Sequence, residues 1–148
     1  PGAVAAARPA GKPAATSARI RDVASTFVAM VSGGNTAGAA TLFSYDGVLE
    51  DRSLYTSIVG VPAITRYLAR VNHTSPFGRG VTLGHVVGGE AGGGFEWVSA
   101  SSPVRTGAAA LSINAEGQIT RASIVYDSRD LSATSRNELA ALTLEPLQ

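Results

Sequence analysis

The sequence predicts an α+β fold in which a curved antiparallel sheet wraps around three N-terminal helices. Two observations carry this prediction. Up to about residue 71, apolar residues recur at three- and four-residue spacing, which is typical of amphipathic helices. From about residue 81 the period changes to two, and turn residues separate successive apolar-alternating segments, which is typical of strands. Helices followed by strands indicate that the two kinds of element form separate layers.

Each of the three helices is bounded by recognisable start or stop residues. The first is predicted over residues 18–32 and ends at a Gly-Gly pair, which favours termination. A short second helix begins at Asn35 or Thr36, both of which are good capping residues. The third runs over residues 61–71, with Pro62 in the first turn, where proline is tolerated. Each helix therefore has one apolar face available for packing.

The strands begin with a short hairpin. Asp46-Gly47 is predicted as a turn, followed by a brief strand from Val48 to Asp51 and a hairpin partner over residues 53–58. The later strands are predicted over residues 81–87, 95–100, 109–113 and 119–126. Glycines are frequent from Gly78 to Gly117, which favours bulges and strong curvature of the sheet.

The domain itself is predicted over residues 18–130. Residues 1–17 are rich in Ala and Pro and are expected to be a flexible tail, either a linker or the end of a secretory signal. Residues 131–148 are expected to be a C-terminal tail, either irregular throughout or with a short helix over residues 134–142. A cytoplasmic location is favoured, and a secreted one is expected if the Ala-rich N-terminus is the remnant of a signal.

Composition excludes several classes of function. Twelve basic and eleven acidic residues give a net charge of +1, and no basic stripe with interleaved aromatics points to nucleic acid. The apolar runs are far shorter than the ~20 residues of a membrane span. The absence of Cys excludes thiolate metal sites, and two His do not favour a histidine metal cage. Neither a phosphate-binding glycine loop nor a serine-hydrolase elbow is present, so no cofactor and no metal are expected.

Three segments together resemble a known superfamily. They are LFSYDGVLED at residues 42–51, GVPAITRYL at 60–68, and the turn NAEGQI at 114–119 followed by VYD at 125–127. Their order and spacing resemble NTF2-like proteins, above all ketosteroid-isomerase-like and SnoaL-like members, over about residues 18–130. The resemblance implies a cone-shaped fold with one deep apolar pocket for a small hydrophobic ligand.

The resemblance also assigns positions in the pocket. Asp51 falls where the steroid isomerases have their general base. Phe27 falls where they have an oxyanion-hole tyrosine, and the position of their protonated aspartic acid falls near Ala109. The last-strand aspartate of epoxide hydrolases of this fold would fall near Ile124. A base and a pocket are therefore implied, without the usual oxyanion donors.

Three residues are candidates for acid/base chemistry. Asp51 shares a strand face with Leu49, and a carboxylate beside apolar walls can act as a base or an acid. Its alternative roles are a salt bridge to Arg52 or a turn cap. His85 lies in an alternating strand with Val81, Leu83 and Val87, as a partner of Asp51 or as a core residue. Glu96 is either a second inward carboxylate or a solvated strand residue.

Five aromatic residues are predicted to line the pocket, with membership of the core as the alternative. Tyr and Trp combine a large apolar ring with one polar atom that can donate to a ligand. The five are Tyr45, Tyr55, Trp97, Tyr126 and Phe27.

The function predicted from these features is that of a cofactor-free acid/base enzyme. It would be an isomerase, a cyclase or an epoxide-opening enzyme acting on a polyketide- or terpenoid-like molecule. The alternative is a non-catalytic NTF2-like module for ligand binding or dimerisation. A homodimer is predicted in either case, through the outer sheet face at Val98, Ala110 and Val125.

Overall fold

The computed structural model describes residues 15–100 and 102–145. Most of the predicted N-terminal tail, residues 1–14, lies outside this part of the chain. The helices are α1 (Ala18–Ser32), α2 (Thr36–Ala40), α3 (Val61–Val71) and α4 (Ala133–Leu142). The strands are β1 (Phe43–Asp51), β2 (Thr56–Val59), β3 (Thr82–Gly89), β4 (Gly92–Val98), β5 (Thr106–Ile113) and β6 (Ile119–Tyr126).

Local sequence explains the helix ends. The Ser17 side chain accepts a hydrogen bond from the Arg19 N–H and caps α1, which ends at Gly33. The α3 helix begins after Gly60, which has φ +93°, and carries a proline in its first turn. Both helices bury one apolar face, as their periodicity predicts.

The six strands form one curved, mixed sheet in the order β2-β1-β6-β5-β4-β3. The prediction of a wholly antiparallel sheet is wrong at one place, because β1 and β6 pair in parallel. Hairpin connections from β3 through β4 and β5 fix the direction of β6. That direction is also the direction of β1. Alternation of apolar residues cannot reveal this, because it reports the face of a residue and not its partner strand.

The first strand is longer than predicted. Asp46 and Gly47 do not form a turn but lie inside β1, where the register against β6 shifts between Phe43 and Val48. A Cβ atom at Gly47 would lie only 2.9 Å from the Ser44 carbonyl oxygen, so this irregular stretch requires a glycine. The irregularity leaves Val48 to Asp51 in regular pairing with β6 and directs Asp51 towards the helices.

The helix arrangement also differs from the prediction of three N-terminal helices. The second helix has five residues, and one ten-residue helix, α4, follows the sheet. This helix packs against α3 through Leu139, which is fully buried, and Leu131 is buried just before it. Arg66 forms an ion pair with Glu145, and the Arg70 Nε–H donates to the Leu142 carbonyl oxygen at 2.9 Å. The C-terminal segment therefore belongs to the packed body of the protein.

Aromatic side chains fill the interior of the cone. Phe77 is the hub, with its ring centroid 5.5 Å from Phe27, 5.5 Å from Trp97 and 6.2 Å from Phe95. Trp97 in turn lies 6.1 Å from Tyr126. These edge-on and tilted contacts are the arrangements that aromatic rings prefer. These rings occupy the interior of the cone, where the sequence predicts an apolar pocket.

No helix in the described ranges is both long enough and apolar enough to span a membrane.

Candidate functional site: a buried carboxyl group at the end of the first strand

Asp51 is the last residue of β1 and lies on the concave face of the sheet. It pairs with Thr56 of β2 and Ile124 of β6, so strands on both sides surround it. Only 5% of its surface is exposed. Burial of an ionisable group at this depth requires hydrogen-bond partners for the charged form.

Three donors satisfy the carboxyl group of Asp51. Its Oδ1 atom accepts from the backbone N–H groups of Ser53 at 3.0 Å and Leu54 at 3.1 Å. Its Oδ2 atom accepts from the Tyr126 hydroxyl at 2.8 Å. The Ser53 hydroxyl donates to the Tyr126 carbonyl oxygen and accepts from the Tyr126 N–H, so the turn after β1 is tied to β6. The orientation of the carboxyl group is thereby fixed by groups that are themselves held in place.

Burial gives this cluster unusual acidities. Loss of solvation raises the pKa of Asp51, and the bonds from Tyr126 and from the two backbone N–H groups oppose this only in part. Burial, and then the nearby Asp51 charge, raises the pKa of Tyr126 and also that of Tyr67. Both phenols therefore remain neutral donors, and Asp51 titrates closer to neutral pH than an exposed aspartate does.

The neighbouring carboxylate, Glu50, has the opposite character. It points to the outer face, where Arg121 forms a two-fold contact with it at 3.0 and 2.6 Å and the Ser123 hydroxyl donates at 2.6 Å. The Ser123 bond, together with Arg121, lowers the pKa of Glu50. Adjacent carboxyl groups with opposite shifts can divide the roles of acid or base and of fixed anion.

Asp51 lines two spaces. One is a small, partly enclosed cavity of about 20 Å³, with the polar residues Glu50, Asp51, Tyr67 and Ser75 and the apolar residue Phe77 in its lining. The other is a surface cleft of about 280 Å³ between Asp51 and residues 55–57 of the β1–β2 hairpin, with Glu50 and Arg52 on its walls. The cavity has room for about one water molecule, whereas the cleft has room for a small ligand.

Tyr55 stands at the rim of this cleft. Its side chain is 96% exposed, and its backbone has φ +56°, in the left-handed region that residues other than glycine rarely adopt. Such a conformation costs on the order of 1 kcal/mol. The hairpin therefore holds an exposed aromatic ring in an unfavourable backbone conformation beside the buried carboxyl group.

Two predicted catalytic partners do not reach Asp51. His85 and Glu96 are both exposed on the outer, convex face of the sheet. The predicted alternation of β3 is wrong, because Leu83 pairs with Trp97 while Val86 pairs with Phe95, which leaves an extra residue at Gly84 and His85. This bulge reverses the face of every later β3 residue.

The five predicted aromatic residues divide into three groups. Tyr126 donates to Asp51, and Tyr55 borders the cleft. Phe27 and Trp97 are fully buried in the aromatic core, where the Trp97 Nε1–H donates to the Ala108 carbonyl oxygen at 3.1 Å. Tyr45 is 78% exposed in β1 and is absent from the lining of both spaces beside Asp51.

Tyr67 and Ser75 are site residues that pattern reasoning missed. Tyr67 lies on the buried, apolar face of α3, where helical spacing alone indicates a core residue. Its hydroxyl is the available signal, because a phenol on a buried helix face needs a polar neighbour. Ser75 follows α3 in a turn and carries no pattern that distinguishes it.

Comparison with known proteins places the fold. No protein-family model and no curated protein matches the chain. Solved structures match with probability 1.00. They include an NTF-2 like protein of unknown function from Burkholderia xenovorans, with TM-score 0.59, 12% identity and coverage of 73% of this chain and 82% of that chain. A SnoaL-like protein of unknown function from Burkholderia thailandensis has TM-score 0.63, 8% identity and coverage of 76% and 98%.

A third match is a hypothetical protein from Catenulispora acidiphila with a ketosteroid isomerase-like fold, in complex with trimethylamine. It has TM-score 0.58 and 19% identity, and the match covers 84% of this chain and 98% of that chain. The chain therefore has an NTF2-like fold, which is the fold that the sequence resemblance implies. Its structural neighbours include proteins described as SnoaL-like and as having a ketosteroid isomerase-like fold.

Proposed function

We propose that the protein is a cofactor-free acid/base enzyme that acts on a small molecule bound in the cleft beside Asp51. The observation that carries the proposal is the buried Asp51 carboxyl group, which has a raised pKa, a bond to Tyr126 at 2.8 Å and a position between a cleft and a cavity. A carboxyl group that titrates nearer to neutral pH can both accept and return a proton under physiological conditions.

In this reaction, Asp51 accepts a proton from carbon or oxygen of the substrate and returns it at another position. The N–H groups of Ser53 and Leu54 hold the carboxylate in one orientation. The neutral Tyr126 hydroxyl stabilises the anionic form of Asp51 before it accepts the proton and after it returns it. Isomerisation, cyclisation and epoxide opening all fit this pattern, since each needs a positioned proton acceptor.

The substrate is proposed to be smaller and more polar than the sequence alone suggests. The interior that would accept a large hydrophobic molecule is occupied by the Phe77 cluster. The cleft offers Tyr55 as an apolar surface, and Arg52, Thr56 and Ser57 as polar ones. A ring-sized molecule with one carbonyl or hydroxyl group matches this lining. The trimethylamine in the Catenulispora acidiphila complex is a small ligand on a similar fold.

The proposal is tested by proton exchange at carbon. Small cyclic ketones and enones are incubated with the protein in D₂O, and deuterium uptake next to the carbonyl group is followed by NMR. Wild-type protein should accelerate uptake for at least one of them, and Asp51→Asn should lower the rate by roughly 10²- to 10⁴-fold. Asp46→Asn, an exposed carboxylate in the same strand, is the matched control and should leave the rate unchanged.

Two results would contradict the proposal. One is exchange that is equally fast in wild type and Asp51→Asn. The other is no acceleration by wild type with any ketone in the panel, while NMR titration shows that ketones bind at the cleft.

A second candidate function, a non-catalytic dimerising module, is favoured by the outer face of the sheet. Val87, Val98 and Val125 are each about half exposed there, with Ala108 and Ala110 between them. An apolar strip with small residues at its centre suits a flat contact with a second copy of the chain. This function predicts a dimer in solution whose stability does not change in Asp51→Asn, which light scattering would measure.

A further inference from the structure

The small cavity behind Asp51 has a polar end inside an otherwise apolar wall. Leu49, Leu68 and Ile124 contribute to the apolar part. Asp51, Tyr67 and Ser75 line the polar end, and Glu50 is a further lining residue. The charge of Asp51 raises the pKa of Tyr67, and Tyr67 in turn affects Tyr126, so the three groups lie close together.

Two hydroxyl groups at this polar end are not bonded to protein. Across residues 15–100 and 102–145, the Tyr126 hydroxyl reaches Asp51, but no hydrogen bond reaches the hydroxyls of Tyr67 or Ser75. Polar groups in buried surroundings are satisfied by protein or by bound water. The cavity volume of about 20 Å³ exceeds the ~10–15 Å³ that one water needs, and a stable buried water needs two to four polar partners.

Ser75 also borders a second space. A surface cleft of about 160 Å³ lies below α4 and is lined by Ser75, Thr74, His73 and Glu138. Ser75 is therefore shared by the small cavity and by a cleft that has no lining residue in common with the hairpin cleft where the substrate is proposed to bind.

From this arrangement we infer that the cavity is a binding site for one water molecule, held by Asp51, Tyr67 and Ser75, that relays protons between Asp51 and solvent in the cleft below α4. The water accepts the proton from the protonated carboxyl group and passes one of its own protons to the Ser75 hydroxyl. The Ser75 hydroxyl releases its original proton to solvent. One proton leaves, Asp51 regains its negative charge, and each relay oxygen ends with the number of protons it had at the start. The catalytic part of this inference rests on the proposed function.

The relay separates the route of the substrate from the route of solvent protons. Substrate meets Asp51 from the hairpin cleft, while solvent protons arrive through Ser75 and the cavity. A proton taken from the substrate can then exchange with solvent while the substrate stays bound. Without the relay, Asp51 returns the same proton.

The test combines a structural and a kinetic readout. Ser75→Val places a side chain without a hydroxyl at the boundary between cavity and cleft, and Thr74→Val is the matched control, since Thr74 lines only the cleft. A high-resolution crystal structure of the wild type should contain a water within hydrogen-bonding distance of Asp51, Tyr67 and Ser75. Deuterium uptake from D₂O into the ketone should fall by roughly tenfold in Ser75→Val with unchanged KM, and not in Thr74→Val.

Each outcome decides between the two proposals. Wild-type density without a water, or normal uptake in Ser75→Val, overturns the relay. If Asp51→Asn abolishes uptake in the same experiment, the proposed function stands even though the relay is overturned. Uptake that persists in Asp51→Asn overturns the proposed function, whereas the crystal structure still decides the water site. If Ser75→Val does not fold, Tyr67→Phe removes another relay partner without added volume, and normal uptake in that variant overturns the relay.

Discussion

Removal of the Tyr126 hydroxyl isolates the most consequential bond at the site. In Tyr126→Phe, the Asp51 Oδ2 atom loses its hydrogen-bond donor at 2.8 Å. Because only 5% of the surface of Asp51 is exposed, solvent does not readily replace that donor. A hydrogen bond to a charged group contributes about 1.5–3 kcal/mol, and a bond between neutral groups about 0.5–1.5 kcal/mol. The variant should therefore lose about 1.5–3 kcal/mol of unfolding free energy where Asp51 is ionised.

The size of this loss should depend on pH with a definite sign. The Tyr126 bond lowers the pKa of Asp51, so the substitution raises that pKa further above the ordinary value. At high pH the ionised carboxyl group of the variant lacks the Tyr126 bond and keeps only its two backbone donors, whereas at low pH the carboxyl group is protonated in both proteins. As pH falls, the destabilisation should consequently shrink towards the value for a hydrogen bond between uncharged groups, about 0.5–1.5 kcal/mol.

Urea unfolding at pH 8 and pH 4 measures both values. Trp97 is the single tryptophan, is fully buried and reports unfolding by fluorescence. Tyr45→Phe, at a site 78% exposed, is the matched control and should change stability by less than ~0.5 kcal/mol. A loss for Tyr126→Phe that is the same at both pH values, or no larger than that of the control, would refute the reasoning.

Three further predictions concern charge, packing and assembly. Because burial raises the pKa of Asp51, the folded protein retains a proton that the unfolded chain loses above about pH 3.8. As pH rises from there through the raised pKa, the wild type should lose stability relative to Asp51→Asn, which thermal melts at several pH values measure. A pH-independent difference would contradict this. Phe77→Ala should cost about 3–5 kcal/mol in urea unfolding, because it removes the aromatic hub, and a loss below ~1 kcal/mol would contradict that role. Val125→Arg should convert a dimer to a monomer in light scattering, and an unchanged mass would exclude this face.

Apolar spacing and capping residues were enough to predict the helices and the face of the first strand. The ranges of α1 and α3 follow from apolar spacing and capping residues, and Leu49 and Asp51 share the concave face as alternation predicts. The superfamily resemblance supplied the general shape. The same resemblance predicts Asp51 as the pocket carboxyl group, because Asp51 falls at the position of the steroid isomerases' general base.

Long-range features were beyond that reasoning. The bulge at Gly84 and His85 depends on how β3 fits β4, and one extra residue reverses a face without a change in composition. Whether the cone is hollow or filled depends on Phe77, which comes from a loop with no periodic pattern. The partner of Asp51 was equally hidden, because Tyr126 lies 75 residues later in the chain.

That separation has a consequence for biosynthesis. A ribosome synthesises β1 long before β6. The nascent chain therefore contains Asp51 before it contains Tyr126, whose hydroxyl donates to Asp51 in the folded protein. The parallel β1–β6 pair, the bond to Tyr126 and the ties through Ser53 all form when the last strand arrives. Such distant pairing is slow to form. Maturation of the site should therefore coincide with closure of the sheet, and chains that end before Tyr126 should lack both.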